Sequence, residues 1–441
     1  MNPPTTANVI LMTTHDLGQH VHCYGADTVQ TPNLDALAKQ GVRFAQAFAA
    51  APQCSPARAA LATGRYPHSA GVMGLSHGEF AWHLPDRERH LASLLKEHGY
   101  RTALFGLQHI TNRANTLGFD QVWERHETAD QVASAATEWL ANTTNDAPFY
   151  LEIGFHDTHR PWNTNPPDQA MGTQRPRWLP EYPGSTEEIA ALQGQIVAVD
   201  RAVGAIVGRV AQAGIADHTW IIFTSDHGLA MPRAKGTLYD PGLEVPLIMR
   251  WPQGGLEGGR VIGDLVSHVD VVPTILDAQG MVIPDNIQGI SFWPLLRGDP
   301  KSLRETVFGE KTYHTTYDPI RCVRTERYKL IVHFNTYDIG DVPIDAKDSP
   351  SYEVLRHELT APHRYVELFD LATDPLERCN LAGQAEYDDT LKGLLSQLSG
   401  WMHQTEDPLL VGPVISPQYQ KALQIVNGAV EELSALQSGD W

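Results

Sequence analysis

The sequence predicts an α/β protein: a mainly parallel sheet sandwiched by helices, followed by a smaller C-terminal unit of antiparallel strands with a helix. Three observations carry this. Short apolar runs alternate with helix-like stretches through residues 1–300. Four of those runs stop at histidine or aspartate. Beyond about residue 300 strand-like segments follow one another without crossover helices.

Taken in order, Asn8–Thr14 is continuously apolar, as a strand buried on both faces must be, and stops at His15-Asp16. Thr31–Gln40 reads as a helix. At Cys54–Leu61 another begins, with Ser55 a good N-cap and Pro56 suited to the first helical position. Leu91–His98 is helical, and the strand Arg101–Phe105 runs into Gly106 and then His109. Pro148–Phe155 runs into His156 and His159. After the long helix Glu187–Gln212, the strand His218–Thr224 runs into Ser225, Asp226 and His227. Open α/β sheets bind ligands at the carboxyl ends of their strands, so four such polar endings point to one common site. In the second unit Val307–Gly309, Arg321–Arg324 and Tyr328–Phe334 read as strands. The polar stretch Asp341–Ser351 follows, then a strand at Glu367–Leu371 before the turn-like Asp374-Pro375, and a helix at Leu391–His403. The expected division is 1–300 and 301–441, in keeping with a chain of 441 residues, too long for one comfortable core.

Composition narrows the function. With 52 acidic against 33 basic side chains the formal charge is −19, a field that repels polyanions and argues against nucleic acid as a partner. An anionic small substrate then requires local positive charge, as a bound metal supplies. Hydrophobic residues at 42% and charged residues at 19% exclude a disordered chain. Cys23, Cys54, Cys322 and Cys379 are too few and scattered for a disulfide framework and fit a reducing compartment. The N-terminus lacks the basic region of a signal peptide, and no stretch reads as long enough to cross a bilayer; the expectation is a cytoplasmic protein with no membrane partner.

Cys54 stands beside a helix N-terminus, where backbone N–H groups and the helix dipole lower a thiol pKa and stabilise an oxyanion. Read alone, it serves equally as a small buried cysteine. The longer string decides. Cys54-Ser55-Pro56-Ala57-Arg58, continued by Leu61, Thr63 and Gly64, resembles the sulfatase signature. The resemblance extends to Gly18, the helix start Thr31–Asp35, Ser225–Gly228, and Glu367–Leu371 with Asp374–Glu377 and Asn380-Leu381. It is nearest the heparan N-sulfatase (sulfamidase) branch, through Phe155–Arg160, Val342–Asp345, and Trp401 with Glu406–Pro408.

That family implies an alkaline phosphatase-like fold and a sulfuric ester hydrolase acting on a small sulfated substrate such as a sugar. It implies a maturation enzyme that converts Cys54 to formylglycine. The hydrated aldehyde, a gem-diol held on a divalent cation, attacks sulfur, and its second hydroxyl later expels sulfate. Carried over residue by residue, the metal ligands are His15, Asp16, Asp226 and His227 with the modified Cys54. His15 departs from the aspartate usual there. Calcium is the family's metal; two imidazoles with two carboxylates suit manganese or zinc. Arg58, one turn along the helix, is matched to holding the modified side chain. His109 matches a histidine that contacts the nucleophile, His159 the one that protonates the leaving group, and Lys235 an anion-binding lysine. His77, His156, Tyr313, His314 and Arg321 match substrate-contacting positions. Leu107 replaces a lysine of the sulfate cradle, and Arg160 and Arg233 are the candidates to fill that gap.

A second reading within the fold is a phosphonate monoester or phosphodiester hydrolase using the same formylglycine site. The Asp226-His227 pair and Leu107 favour it; the sulfamidase-like C-terminal half favours sulfate. A third, of another class, is a protein that binds sulfated glycans without cutting them, against which stands the joint presence of Cys54, Pro56, Arg58, Asp16, Asp226, His109 and His159.

Overall fold

The computed structural model describes residues 6–125, 127–143, 146–299, 303–335, 343–347, 349–359 and 364–427. Its larger sheet is built from β1 (Asn8–Thr14), β2 (Val42–Phe48), β3 (Arg101–Gly106), β4 (Gln121–Trp123), β5 (Phe149–Phe155), β6 (Thr219–Ser225), β7 (Leu247–Arg250) and β8 (Arg260–Ser267), in the order β4–β3–β5–β1–β6–β7–β2–β8. Successive strand residues face opposite sides, and here both sides are core. Val9 and Leu11 of β1 enter one apolar cluster with Leu104, Tyr150 and Ile222, while Ile10 and Met12 enter the other with Phe105, Ile153 and Phe223. This is why the central strands read as unbroken apolar runs.

All pairings are parallel except those of β7, which lies antiparallel between β6 and β2. The expected strands at the four polar endings are present with ends shifted by at most one residue. β2, β4, β7 and β8 were not anticipated. In β2 the polar Arg43 and Gln46 interrupt the apolar pattern, and β7 is only four residues long.

The helix Ser185–Gln212 corrects one expectation. It is long and apolar enough to cross a bilayer by length and composition, yet Ile189, Leu192, Ile196, Val199 and Val203 are packed into the core against the sheet. A mostly buried helix of this kind needs no bilayer to cover its apolar face.

The second sheet comprises β9 (Thr306–Tyr313), β10 (Tyr317–Thr325), β11 (Tyr328–His333) and β12 (Val366–Asp370), ordered β12–β11–β10–β9 and wholly antiparallel. On one face Val323, Leu330 and Leu368 lie under Leu394, Leu398 and Trp401 of the helix Asp388–Gln404. On the other, Ile320, Cys322 and Ile331 meet Phe48 and Leu265 of the larger sheet. Of the polar stretch Asp341–Ser351, residues 341, 342 and 348 lie outside the described residues, and the helix Pro350–Leu359 starts at its end.

One close approach positions the site. A Cβ on Gly154 would sit 1.9 Å from the Leu107 carbonyl oxygen, and one on Gly106 2.1 Å from the Gly154 oxygen. Only glycine fits at either position. Leu107 N–H donates to the Gly154 carbonyl at 3.0 Å, so the segment after β3 crosses the end of β5 with no gap between them.

Candidate active site

The strands β3, β5, β1 and β6 are consecutive in the sheet, and their carboxyl ends deliver His109, His156 with His159, His15 with Asp16, and Asp226 with His227 to one place. Asp16 and Asp226 are fully buried and tied together, the Asp16 backbone N–H donating to Asp226 Oδ1 at 2.9 Å. Asp16 adopts a positive φ of 45° and His109 one of 61°, a left-handed backbone that non-glycine residues hold only where the surroundings enforce it.

Cys54 opens the helix Cys54–Thr63. The structure corrects the expected cap: Gln53 precedes the helix in extended geometry, and Ser55 is already inside it, its hydroxyl accepting from the Ser76 N–H at 3.0 Å. Cys54 is therefore itself in the first turn, buried, with Sγ 3.5 Å from His227 Nε2 and 3.9 Å from Asp16 Oδ1. From the next turn Arg58 reaches Asp226 Oδ2 through Nε at 2.9 Å and the Leu107 carbonyl through Nη1 at 3.2 Å; its buried Nη2 has no partner among the described residues.

His15, Asp16, Cys54, Asp226 and His227 each offer one ligand atom, all within 4.8 Å of one another. His15 Nδ1 lies 3.0 Å from Asp16 Oδ1 and 3.1 Å from Asp226 Oδ2; His227 Nε2 lies 3.0 Å from Asp16 Oδ1. His227 Nδ1 donates to the Gly228 carbonyl at 2.9 Å, which leaves Nε2 directed at the cluster as a ligand atom would be. Two imidazole nitrogens, two carboxylates and a sulfur at this spacing fit one divalent cation.

The charges are strongly coupled. Burial opposes both carboxylates, yet Lys235 and His15 hold Asp16 well below the usual range, and His227, His15 and Arg58 do the same for Asp226. Burial would lower His227, but Asp226 and Asp16 raise it to about 10. A divalent cation bound here would compete with protons for the imidazole nitrogens. Burial pushes the Cys54 thiol up, while Lys235 and His15 bring it down to about 7.

Lys235 Nζ bridges Asp16 Oδ2 at 2.7 Å and Asp345 Oδ2 at 2.8 Å, and lies 3.4 Å from His159 Nε2. His159 donates from Nδ1 to the Arg160 carbonyl, so Nε2 is the accepting atom. Burial and Lys235 lower its pKa to about 4. Asp345 was matched in sequence only to a branch motif, not to the site. It comes from residues 343–347, and nothing in the local pattern announces that this segment meets β1.

A cavity of about 530 Å³ opens beside the cluster, with His15, His77, His109, His156, His159 and Leu107 among its walls. His77 Nδ1 is 2.7 Å from His109 Nε2, and the rings stack at 4.9 Å. The expectations for five residues fail. Arg321 is fully buried and holds Asp407 through Nε at 2.6 Å and Nη2 at 3.1 Å, with Nη1 on the Lys311 and Ile320 carbonyls, so it braces the second sheet. Tyr313 packs on Trp82 and donates its hydroxyl to the Val414 carbonyl, and neither it nor His314 lines this cavity. Arg160 donates to the Ala230 carbonyl and pairs with Glu188. Arg233 donates to the Leu376 and Glu377 carbonyls and lies over Tyr239, so neither arginine fills the place beside Leu107. In a second buried trio, His68, Glu310 and Asp407, Arg321 reaches both carboxylates, at 2.6 Å from Asp407 and 3.5 Å from Glu310, and His68 pairs with Glu310.

Residues 7–281 match the family model described as Sulfatase, and residues 227–360 match N-sulphoglucosamine sulphohydrolase, C-terminal. The chain is similar to human N-sulphoglucosamine sulphohydrolase, 29% identical over 94% of each chain. Its fold is similar to that of a solved protein in complex with its substrate D-glucosamine-2-N,6-O-disulfate, at a TM-score of 0.74, 21% identity and coverage of 91% of this chain and 99% of the other. It is also similar in fold to the phosphonate monoester hydrolase of Agrobacterium radiobacter, with a TM-score of 0.70, 21% identity and coverage of 90% and 96%.

Proposed function

The chain belongs to the sulfatase family and is a sulfuric ester hydrolase, and from that premise we propose that it releases sulfate from an O-sulfated or N-sulfated sugar or similar small molecule at the Cys54 cluster. The observation that carries this is the convergence of Cys54, Asp16, Asp226, His15 and His227 within one ligand-sized volume at the strand ends. We further propose that Cys54 is the residue converted to formylglycine, and that the same five positions hold one divalent cation. Calcium is the family's ion, and the two imidazoles favour manganese or zinc. A formylglycine at position 54 would supply a nucleophilic hydroxyl, and a cation held by His15, Asp16, Asp226 and His227 would lower the pKa of that hydroxyl.

The chain's own groups then divide the work. Arg58 orients Asp226, and its free Nη2 is a donor for an anion in the cluster. Lys235 Nζ carries the second fixed positive charge, and His159 Nε2 accepts from it at rest. In this reading Lys235 stays charged, and His159 Nε2 delivers a proton taken from solvent to the departing oxygen or nitrogen, while His109, held by His77, faces the nucleophile.

Two measurements test this. Protein from a host able to make formylglycine should show the Cys54 peptide lighter by about 18 Da, the change expected when a thiol side chain becomes an aldehyde. Sulfate release should be measured from N-sulfoglucosamine, an aryl sulfate and a phosphonate monoester in parallel. Full activity with an unmodified thiol would remove the formylglycine assignment. Faster cleavage of the phosphonate than of either sulfate would move the chain to the other reading.

A further inference from the structure

The cavity beside the cluster has an unusual charge inventory for an enzyme whose substrates are anions. Its walls carry five histidines of the site, His15, His77, His109, His156 and His159, together with His83 and the carboxylate Glu124. Among the described residues no lysine or arginine lines it. The residues outside the description contain one lysine, Lys301, and no arginine. Neither Lys235 nor Arg58 lines the cavity, and both are engaged at the cluster. Lys235 is held between Asp16 and Asp345, and Arg58 by Asp226 and the Leu107 carbonyl. Arg113, which acts on His83, is paired with Asp86 at 2.7 Å. An ordinary imidazole is mostly uncharged at neutral pH, so this wall offers hydrogen-bonding groups in place of fixed positive charge. Asp345 adds a second carboxylate at the His159 side.

Sulfate itself is provided for, by Arg58, Lys235 and the proposed cation. The rest of the substrate meets imidazoles, amides and carboxylates, with no lysine or arginine among the described wall residues. A second anionic group there would lose its hydration and find no counter-charge, and the chain's formal charge of −19 adds long-range repulsion. Resting on the sulfatase reading, we infer that the leaving group this cavity selects carries no negative charge of its own: a neutral hydroxylated or an amine-bearing molecule, not a carboxylated or multiply sulfated one.

The test uses 3-carbamoylphenyl sulfate, 3-carboxyphenyl sulfate and 3-(aminomethyl)phenyl sulfate with the mature, metal-loaded protein. The carbamoyl and aminomethyl esters should exceed the carboxy ester in kcat/KM by at least about tenfold, a ratio that shrinks as salt is raised. Asn112→Arg, a change at an exposed wall position, should close most of that gap. Equal or faster cleavage of the carboxy ester overturns the inference, as does a gap that Asn112→Arg leaves untouched, because the discrimination would then be one of shape. If none of the esters is cleaved, the sulfatase reading falls. The charge inference is still decided by saturation-transfer NMR with the free phenols, where 3-hydroxybenzamide should bind and 3-hydroxybenzoate should not.

Discussion

Arg58 donates to Asp226 at 2.9 Å in a site where Asp226 is fully buried, so truncating it to alanine leaves a carboxylate stripped of its guanidinium. At a charge separation of about 4 Å and an effective dielectric of about 20, the lost attraction is about 4 kcal/mol. That agrees with the roughly 3–5 kcal/mol seen when one partner of a buried pair is removed. A divalent cation among His15, Asp16, Asp226 and His227 would return positive charge to the same carboxylate. With the ion bound, the truncation should therefore cost about half as much. The thermodynamic cycle then requires Arg58→Ala to bind the ion more tightly by the difference, about 2 kcal/mol or roughly 30-fold. Urea denaturation of wild type and Arg58→Ala, with chelator and with saturating manganese or calcium, gives the two stability losses. Isothermal titration gives the affinities independently. Equal losses with and without the ion, or weaker ion binding by the variant, would show that Asp226 is not shared between Arg58 and a cation.

Asp226→Ala should abolish metal loading measured by elemental analysis, because it removes both a ligand and a charge; retention of a stoichiometric ion would exclude Asp226 as a ligand. Leu107→Lys should add a charge-assisted hydrogen bond worth roughly 2–3 kcal/mol, or about 30–150-fold, and should help a sulfate ester more than its matched phosphonate ester. No change on either ester would show that side chain 107 does not face the reacting group. His20 is held by burial at about 4, below its ordinary 6.5. The unfolded chain therefore takes up its proton first, and stability is lost as pH falls from 6.5 towards 4, by about 3 kcal/mol at the lower end. His20→Leu should flatten that part of the stability profile, and an unchanged slope would assign the acid sensitivity elsewhere.

The strands that carry the cluster were legible because burial on both faces forces an unbroken apolar run, and the change to His or Asp marks its end. β7 left no such mark: it is short, reversed, and shares its composition with its surroundings. The cap at Cys54 was misread because Ser55 and Pro56 are acceptable one position earlier or later, and only packing of the Ser55 hydroxyl against Ser76 selects the register. Asp345 and Arg321 show the limit of reading position by position. Asp345 reaches Lys235 across 110 residues of chain. Arg321, in a strand, gave no sign that Asp407 would take its Nε and Nη2. In both cases the partner is supplied by tertiary contact, which no local pattern encodes.

The segment after β3 is held in place by its main chain: by the Leu107 N–H on the Gly154 carbonyl, by the Leu107 carbonyl under Arg58, and by the missing Cβ atoms of Gly106 and Gly154. None of these contacts uses the side chain of residue 107. Variation at that position can therefore proceed without moving the histidine two residues on, and the charge offered to the substrate becomes adjustable through a single codon. By the same logic the two glycines are the inflexible part of the loop: a methyl group on either would displace His109 and all that depends on its placement, although neither glycine comes near the reaction chemically.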